Sequence, residues 1–168
     1  MPAKPLTPAH VLRCLCKPVL RMLFDHCAQC QRCCNIDPGY PSLEVTLTAQ
    51  ERKVHGSICI ETRCELLGDK GCALGSDKPL SCEIYPLSYD PRARTFFYDQ
   101  DCPLMPEYQL QLAQPGSEAR AHLSRITEAV HRHEKTDPKF LRSNFAIDKD
   151  YFDLQPLVTV SAPKEGTL

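Results

Sequence analysis

Apolar positions near the start of the chain, Val11, Leu12, Leu15, Leu20, Leu23 and Phe24, recur at roughly helical spacing. Thr7-Pro8 precedes them as a capping residue followed by proline at the first helical position, so a helix is predicted there, bent or broken near Pro18. Asp37-Pro38-Gly39 is a turn signal. Thr48 with Glu51 three residues on forms a capping box that starts a short helix through about His55. Cys64 to Leu67 and Cys72 to Leu74 flank Gly68-Asp69-Lys70-Gly71, which predicts a tight hairpin. Ile84 to Tyr89 and Thr95 to Tyr98 flank Asp90 to Arg94 and predict a second hairpin that returns Cys102 towards the earlier cysteines. Ser117 caps a predicted helix through about Glu134, with an apolar stripe of Ala119, Leu123, Ile126 and Val130. The end, from about residue 161, is expected to be disordered.

Composition changes this picture in one respect. All 11 Cys of the 168 residues lie at or before Cys102, and without them the 42% hydrophobic fraction falls to about 36%. The first hundred residues are therefore short of oily side chains, and something besides hydrophobic burial is expected to hold them together. Fifteen Pro exclude a long helical bundle. The expected class is α+β: a small, irregular, metal-stapled, Cys-rich domain with short β-hairpins flanked by helices. Its parts are an N-terminal helical lead (1–26), a cysteine-cluster metal-binding domain (27–103) and a C-terminal helical extension packed on the same domain (104–168).

A net charge of −1 argues against a nucleic-acid binder. No run of 18 apolar residues exists to span a membrane, and Met1 to Leu20, broken by four prolines, is a poor secretory signal. A cytoplasmic location is expected, where clustered thiols are more often metal ligands or redox centres than disulfides.

Cys27-x2-Cys30-x2-Cys33-Cys34 carries the chemistry. Two-residue gaps let successive thiolates curl round one centre, as in zinc knuckles and iron-sulfur loops. Adjacent side chains diverge, so Cys33 and Cys34 suit two metals or two corners of one cluster. Cys64, Cys72, Cys82 and Cys102 supply the remaining donors, giving eight candidate ligands and enough for two four-coordinate sites. Asp37 occupies the fourth position of a ferredoxin-like spacing, but before Pro38 and Gly39 it is expected to be a turn residue.

These residues resemble the YkgJ-type cysteine-cluster family, the CxxCxxCC zinc- or iron-chelating domains, across roughly Cys27 to Cys102. The matching stretches are the Cys27 to Cys34 run, Leu47-Thr48-x2-Glu51, Cys64-x7-Cys72, Pro79-x2-Cys82-x3-Pro86 and Cys102-Pro103. The chain has Gln31 where the family often has Gly, Ala73-Leu74 where it often has Ile-Tyr, and Lys78 where it usually has Arg; no core Cys is missing. The resemblance implies metal chelation and, by distant similarity to flagellin lysine methylases with a related cluster, a role in modifying a protein. Cys14, Cys16 and Cys59 lie outside the pattern and are expected to be small core hydrophobes. His26 abuts the cluster as an alternative ligand or a donor to one.

Metalloprotease, phosphate-loop, nucleophile-elbow, dinucleotide and radical C-x3-C-x2-C motifs are all missing, so the sequence leaves open whether there is an enzyme here. His131 and His133, Asp148-Lys149-Asp150 and Arg92-Ala93-Arg94 are expected to be solvated, and Tyr85, Phe96, Phe97 and Tyr98 to pack the second hairpin. Three functions compete: an iron-sulfur redox or protein-modifying protein, a zinc-stabilised protein-interaction module without catalysis, and a metal chaperone or store. Ferredoxin-like spacing and the Cys33-Cys34 doublet favour iron; division of eight thiols into two closed tetrahedral sites favours zinc. The expected cofactor is zinc or iron, with an iron-sulfur cluster slightly favoured, and the expected partner, beyond the metal, is a protein.

Overall fold

The computed structural model describes residues 23–158. The disordered tail predicted from residue 161 and nearly all of the predicted N-terminal helix, with Cys14 and Cys16, lie outside them. Among the described residues the order is α1 (Asp25–Cys30), β1 (Leu43–Glu44), α2 (Ala49–His55), β2 (Cys59–Ile60), β3 (Leu67–Gly68), β4 (Gly71–Cys72) and α3 (Leu80–Ile84). There follow β5 (Leu87–Asp90), β6 (Thr95–Asp99), α4 (Met105–Leu112), α5 (Glu118–Thr136), α6 (Pro138–Tyr151) and β7 (Leu154–Pro156). The class is α+β, with three separate antiparallel sheets.

Local chemistry explains the well-marked elements. At α2 the Thr48 hydroxyl accepts from the Glu51 N–H at 3.2 Å, while Glu51 Oε2 accepts from the Thr48 N–H at 2.8 Å, closing the predicted capping box. Ser117 caps α5 by accepting from the Arg120 N–H at 3.3 Å. In the first hairpin Leu67 pairs with Cys72 and Gly68 with Gly71, whose φ of 100° requires glycine. In the second, Asp90 Oδ1 accepts from the Arg92 and Ala93 N–H groups and turns β5 into β6.

Several expectations are corrected. Ile84 does not start the second hairpin: it ends α3, which begins directly after Pro79 because the Leu80 N–H finds an acceptor in Glu51 Oε1 at 2.8 Å. Helices α4 and α6 and strand β7 were not anticipated. α6 starts where Asp137 accepts from the Phe140 N–H at 3.1 Å ahead of Pro138. β7 lies at a sheet edge, where Pro156 costs no ladder bond. Asp148 is half-buried rather than solvated, accepting from Ser88 Oγ at 2.6 Å and Asn144 Nδ2 at 2.9 Å. His131 is exposed as expected, but His133 is half-buried, its ring 5.6 Å from that of Phe140. Arg94 pairs with Glu134 at 3.0 Å.

The main core joins Leu23, Leu80, Ile84 and Leu87 to Tyr108, Ile126, Val130 and Leu141 beneath the three-stranded sheet. On α5, His122 shares the buried face with Ala119, Ile126 and Val130, while Leu123 is only partly buried. His122 Nδ1 lies 2.9 Å from Tyr108 Oη and its Nε2 lies 2.9 Å from the Glu83 carbonyl. A second, smaller cluster buries Val45, Leu47 and Ile60, with Cys64 and Cys82 against it; with Leu23 and Leu67 these are the buried apolar side chains among the described residues before 75. The cysteine-bearing half is as poor in buried apolar side chains as its composition implies.

Candidate metal centre

Helix α1 carries Cys27 and Cys30 three residues apart, hence on neighbouring positions of one face. Gln31 then turns into the left-handed region at φ 51°, which ends the helix and starts the 3-10 turn Arg32–Cys34. A residue with a side chain is uncommon in that conformation. Asn35 bridges to Arg63, the Ile36 N–H donates to the Thr62 carbonyl at 2.8 Å and the Cys64 N–H to the Cys34 carbonyl at 2.8 Å. These bonds lay Cys64 beside the Cys33-Cys34 doublet. α1 rests on β4, where a side chain on Gly71 would meet Ala28, and this brings Cys72 in. Cys82 arrives on α3, and Glu51 links that helix to α2 through its second carboxylate oxygen. Cys102 follows β6, held near the 3-10 turn by Arg32, which donates to the Asp101 carbonyl at 3.3 Å.

The result is one cavity of about 460 Å³ lined by Cys27, Cys30, Cys33, Cys34, Cys64, Cys72, Cys82 and Cys102. All eight cysteines singled out by spacing border it. Cys59, on β2, is exposed rather than a small core hydrophobe and does not border it, and neither does exposed Asp37. The nine described cysteines are free thiols. Among the described residues no three His, Cys, Asp or Glu side chains are grouped so as to hold a metal ion. The donor set therefore has the softness and number that zinc or iron-sulfur chemistry asks for, gathered round one space without converging on a point. The roles of Cys14, Cys16 and the His26 side chain fall outside what the structure describes.

Electrostatics divide the thiols. Burial pushes Cys82 up to about 12 and raises Cys64 and Cys102. Cys27 is raised by removal from bulk water and then by Cys102. The Cys33 thiol donates to Cys34, which raises Cys33 and draws Cys34 down to about 6, with Lys78 and then Arg63 helping to hold the Cys34 thiolate. Most of these thiols are protonated at neutral pH, so a metal binding here displaces protons. Mutual influence runs through the whole set: Cys64 and Cys82 are each raised by Cys34 and Cys72, Cys33 by Cys34 and Cys27, Cys102 by Cys30, and Cys27 by Cys102, Cys30 and Cys34.

Sequence reasoning did not anticipate the polar groups that share the cavity. Tyr85 donates to Asp99 Oδ2 at 2.7 Å and reaches Cys102, and Lys78, Thr46, Asn144 and Asp148 also line the wall. Lys78 and Tyr85 had a signal in their places at either end of the Pro79-x2-Cys82-x3-Pro86 stretch; Thr46, Asn144 and Asp148 come from segments distant in sequence. Comparison with protein-family models, curated proteins and solved structures finds no match. No helix among the described residues is long and apolar enough to cross a membrane.

Proposed function

We propose that the protein binds zinc or iron through Cys27, Cys30, Cys33, Cys34, Cys64, Cys72, Cys82 and Cys102, and that the bound metal stabilises the cysteine-bearing half. The observation that carries this is the shared cavity: eight thiols from five separate stretches of chain border it, and Cys59 does not. The proposed division is two groups of four, Cys27, Cys30, Cys33 and Cys102 in one and Cys34, Cys64, Cys72 and Cys82 in the other, with Cys64 held beside Cys34 by its backbone bond. The doublet then contributes one sulfur to each, which suits the divergence of adjacent side chains. Lys78 and Arg63 offset negative charge beside Cys34. The resemblance to YkgJ-type domains supports the same reading, as does a reducing cytoplasmic setting that keeps the thiols free.

Iron or an iron-sulfur cluster is the proposed native occupant. Ferredoxin-like spacing supports it, and so does the exposure of Cys27 and Cys33, which leaves one group open to an electron or protein partner. A second reading, a zinc-stabilised interaction module, is favoured by the count of eight thiols round the cavity, because they divide into two four-thiolate sets of the kind one zinc ion takes. Metal analysis with visible absorbance on anaerobically prepared, iron-replete protein decides between them. Brown protein with bound iron is expected. Colourless protein with stoichiometric zinc eliminates the cluster, and metal-free folded protein overturns metal binding altogether.

A further inference from the structure

Outside the thiol cavity, positive charge gathers where the β5–β6 turn faces the junction of α5 and α6. Residues 91–94 and 131–142 carry six Lys or Arg against two Asp or Glu, in a chain whose net charge is −1, so the rest of the chain is acidic. Tyr89 donates to Glu134 Oε1 at 2.6 Å and Arg94 donates to Glu134 Oε2 at 3.0 Å, which fastens the turn to α5. Helix α6 packs on β5, and Pro138 and Arg142, four residues apart, share one face of that helix. A cleft of about 330 Å³ results, bordered by Pro91, Arg92 and Arg94 from the turn and by Glu134, Pro138 and Arg142 from the helices. It shares no lining residue with the thiol cavity.

The charge in this cleft is not balanced from within. Both oxygens of Glu134 are taken, one by Tyr89 and one by Arg94. Arg92 and Arg142 are exposed, and neither side chain has an ion-pair partner among the described residues. The neighbouring acids are engaged elsewhere: Asp90 accepts from the Arg92 and Ala93 N–H groups of its own turn, and Asp137 from the Ala49 and Phe140 N–H groups. Three guanidinium groups against one carboxylate leave two positive charges facing solvent. A phosphate monoester brings about two negative charges at neutral pH and three accepting oxygens, whereas a carboxylate brings one charge and matches a single guanidinium fork. Volume points the same way. At about 30 Å³ per water the cleft has room for roughly ten waters, more than a bare phosphate fills, and Pro91 and Pro138 give the remainder an apolar wall.

We propose that this cleft binds a small phosphate monoester, whose phosphoryl oxygens accept from Arg92, from Arg142 and from the Arg94 N–H groups that Glu134 leaves over, and whose organic group lies against Pro91 and Pro138. The site uses none of the eight cysteines and stands whether or not they hold metal.

The test titrates phenyl phosphate into the full-length protein at low ionic strength, following amide shifts by nuclear magnetic resonance. Phthalate serves as a dicarboxylate of the same charge, and inorganic phosphate as the anion without an organic group. Phenyl phosphate is expected to bind with a Kd of about 1 mM, a reasonable strength for so few atoms in an open cleft. Phthalate and inorganic phosphate should each bind at least several-fold more weakly, and the shifts should centre on residues 91–94 and 134–142. Arg92→Gln and Arg142→Gln should each cost about tenfold in affinity and leave the melting temperature unchanged, since both side chains are exposed. Arg132→Gln is the sharper control: it removes the same charge from an exposed position on α5 that does not border the cleft, so it should weaken binding by no more than about twofold. Phthalate or inorganic phosphate binding as tightly as phenyl phosphate, Arg132→Gln as damaging as Arg142→Gln, shifts centred elsewhere, or no saturable binding would each overturn the proposal.

Discussion

Replacing Asp148 by Asn should stabilise the fold at neutral and alkaline pH and lose that advantage in acid. Burial raises the Asp148 carboxyl from 3.8 to about 7, Asp99 adds to the rise, and hydrogen bonds from Ser88 and Asn144 oppose it. Below pH 3.8 the carboxyl is protonated in both the folded and unfolded chain and exerts no pH-dependent effect. As pH rises towards 7 the unfolded chain gives up its proton and the folded one keeps it, so stability falls; above 7 the loss levels off. At about 1.4 kcal/mol per pH unit the full loss is about 4 kcal/mol, of which roughly 2.5 kcal/mol falls between pH 5 and pH 8. These are upper figures, because water in the cavity relieves part of the burial. Asn keeps the shape, and its carbonyl oxygen can accept from both Ser88 and Asn144. Urea unfolding of both proteins at intervals from pH 5 to pH 8 measures the effect as a difference, in which pH effects common to both, including those at the thiols, cancel. A difference that stays constant with pH, or one that moves against the variant as pH rises, refutes the argument.

Tyr108→Phe leaves buried His122 Nδ1 without its partner and should cost about 1–3 kcal/mol in denaturant unfolding, so an unchanged midpoint counts against the network. Burial holds His122 down at about 4, so its contribution is complete above pH 6.5 and lost as pH falls towards 4, a trend that should emerge once Asp148→Asn removes the opposing one. Chelation under reducing conditions should lower the melting temperature and remove amide protection from residues 27–75 before it touches α5; an unaltered melt contradicts a structural metal. Two Cys→Ser changes within one four-thiol group should lose no more metal than one, while one change in each group should lose nearly all of it; Cys59→Ser, Cys14→Ser and Cys16→Ser should retain full stoichiometry. Metal loss in Cys59→Ser equal to that in Cys30→Ser overturns the assignment.

What the chain determined by itself is what a few neighbouring residues can enforce. Thr48 and Glu51 close their capping box within one turn, Gly68 to Gly71 make a hairpin because Gly71 tolerates a positive φ, and Ser117 with an apolar stripe starts α5. The spacing of Cys27, Cys30, Cys33 and Cys34 likewise marked the chemistry, since ligand spacing is a local geometric demand. The Asp137-Pro138 start of α6 was equally local and was available to be read. Other features were not. β7 exists because β6 offers it an edge, and α3 takes in Ile84 because Glu51, 29 residues earlier, accepts its first N–H. Asp148 in a run of charges looks solvated until α6 packs on β5 and puts Ser88 against it. The gathering of eight thiols, Thr46 and Asp148 round one space was decided only when the chain closed on itself, because the interactions that set it join segments tens of residues apart and leave no period in the sequence.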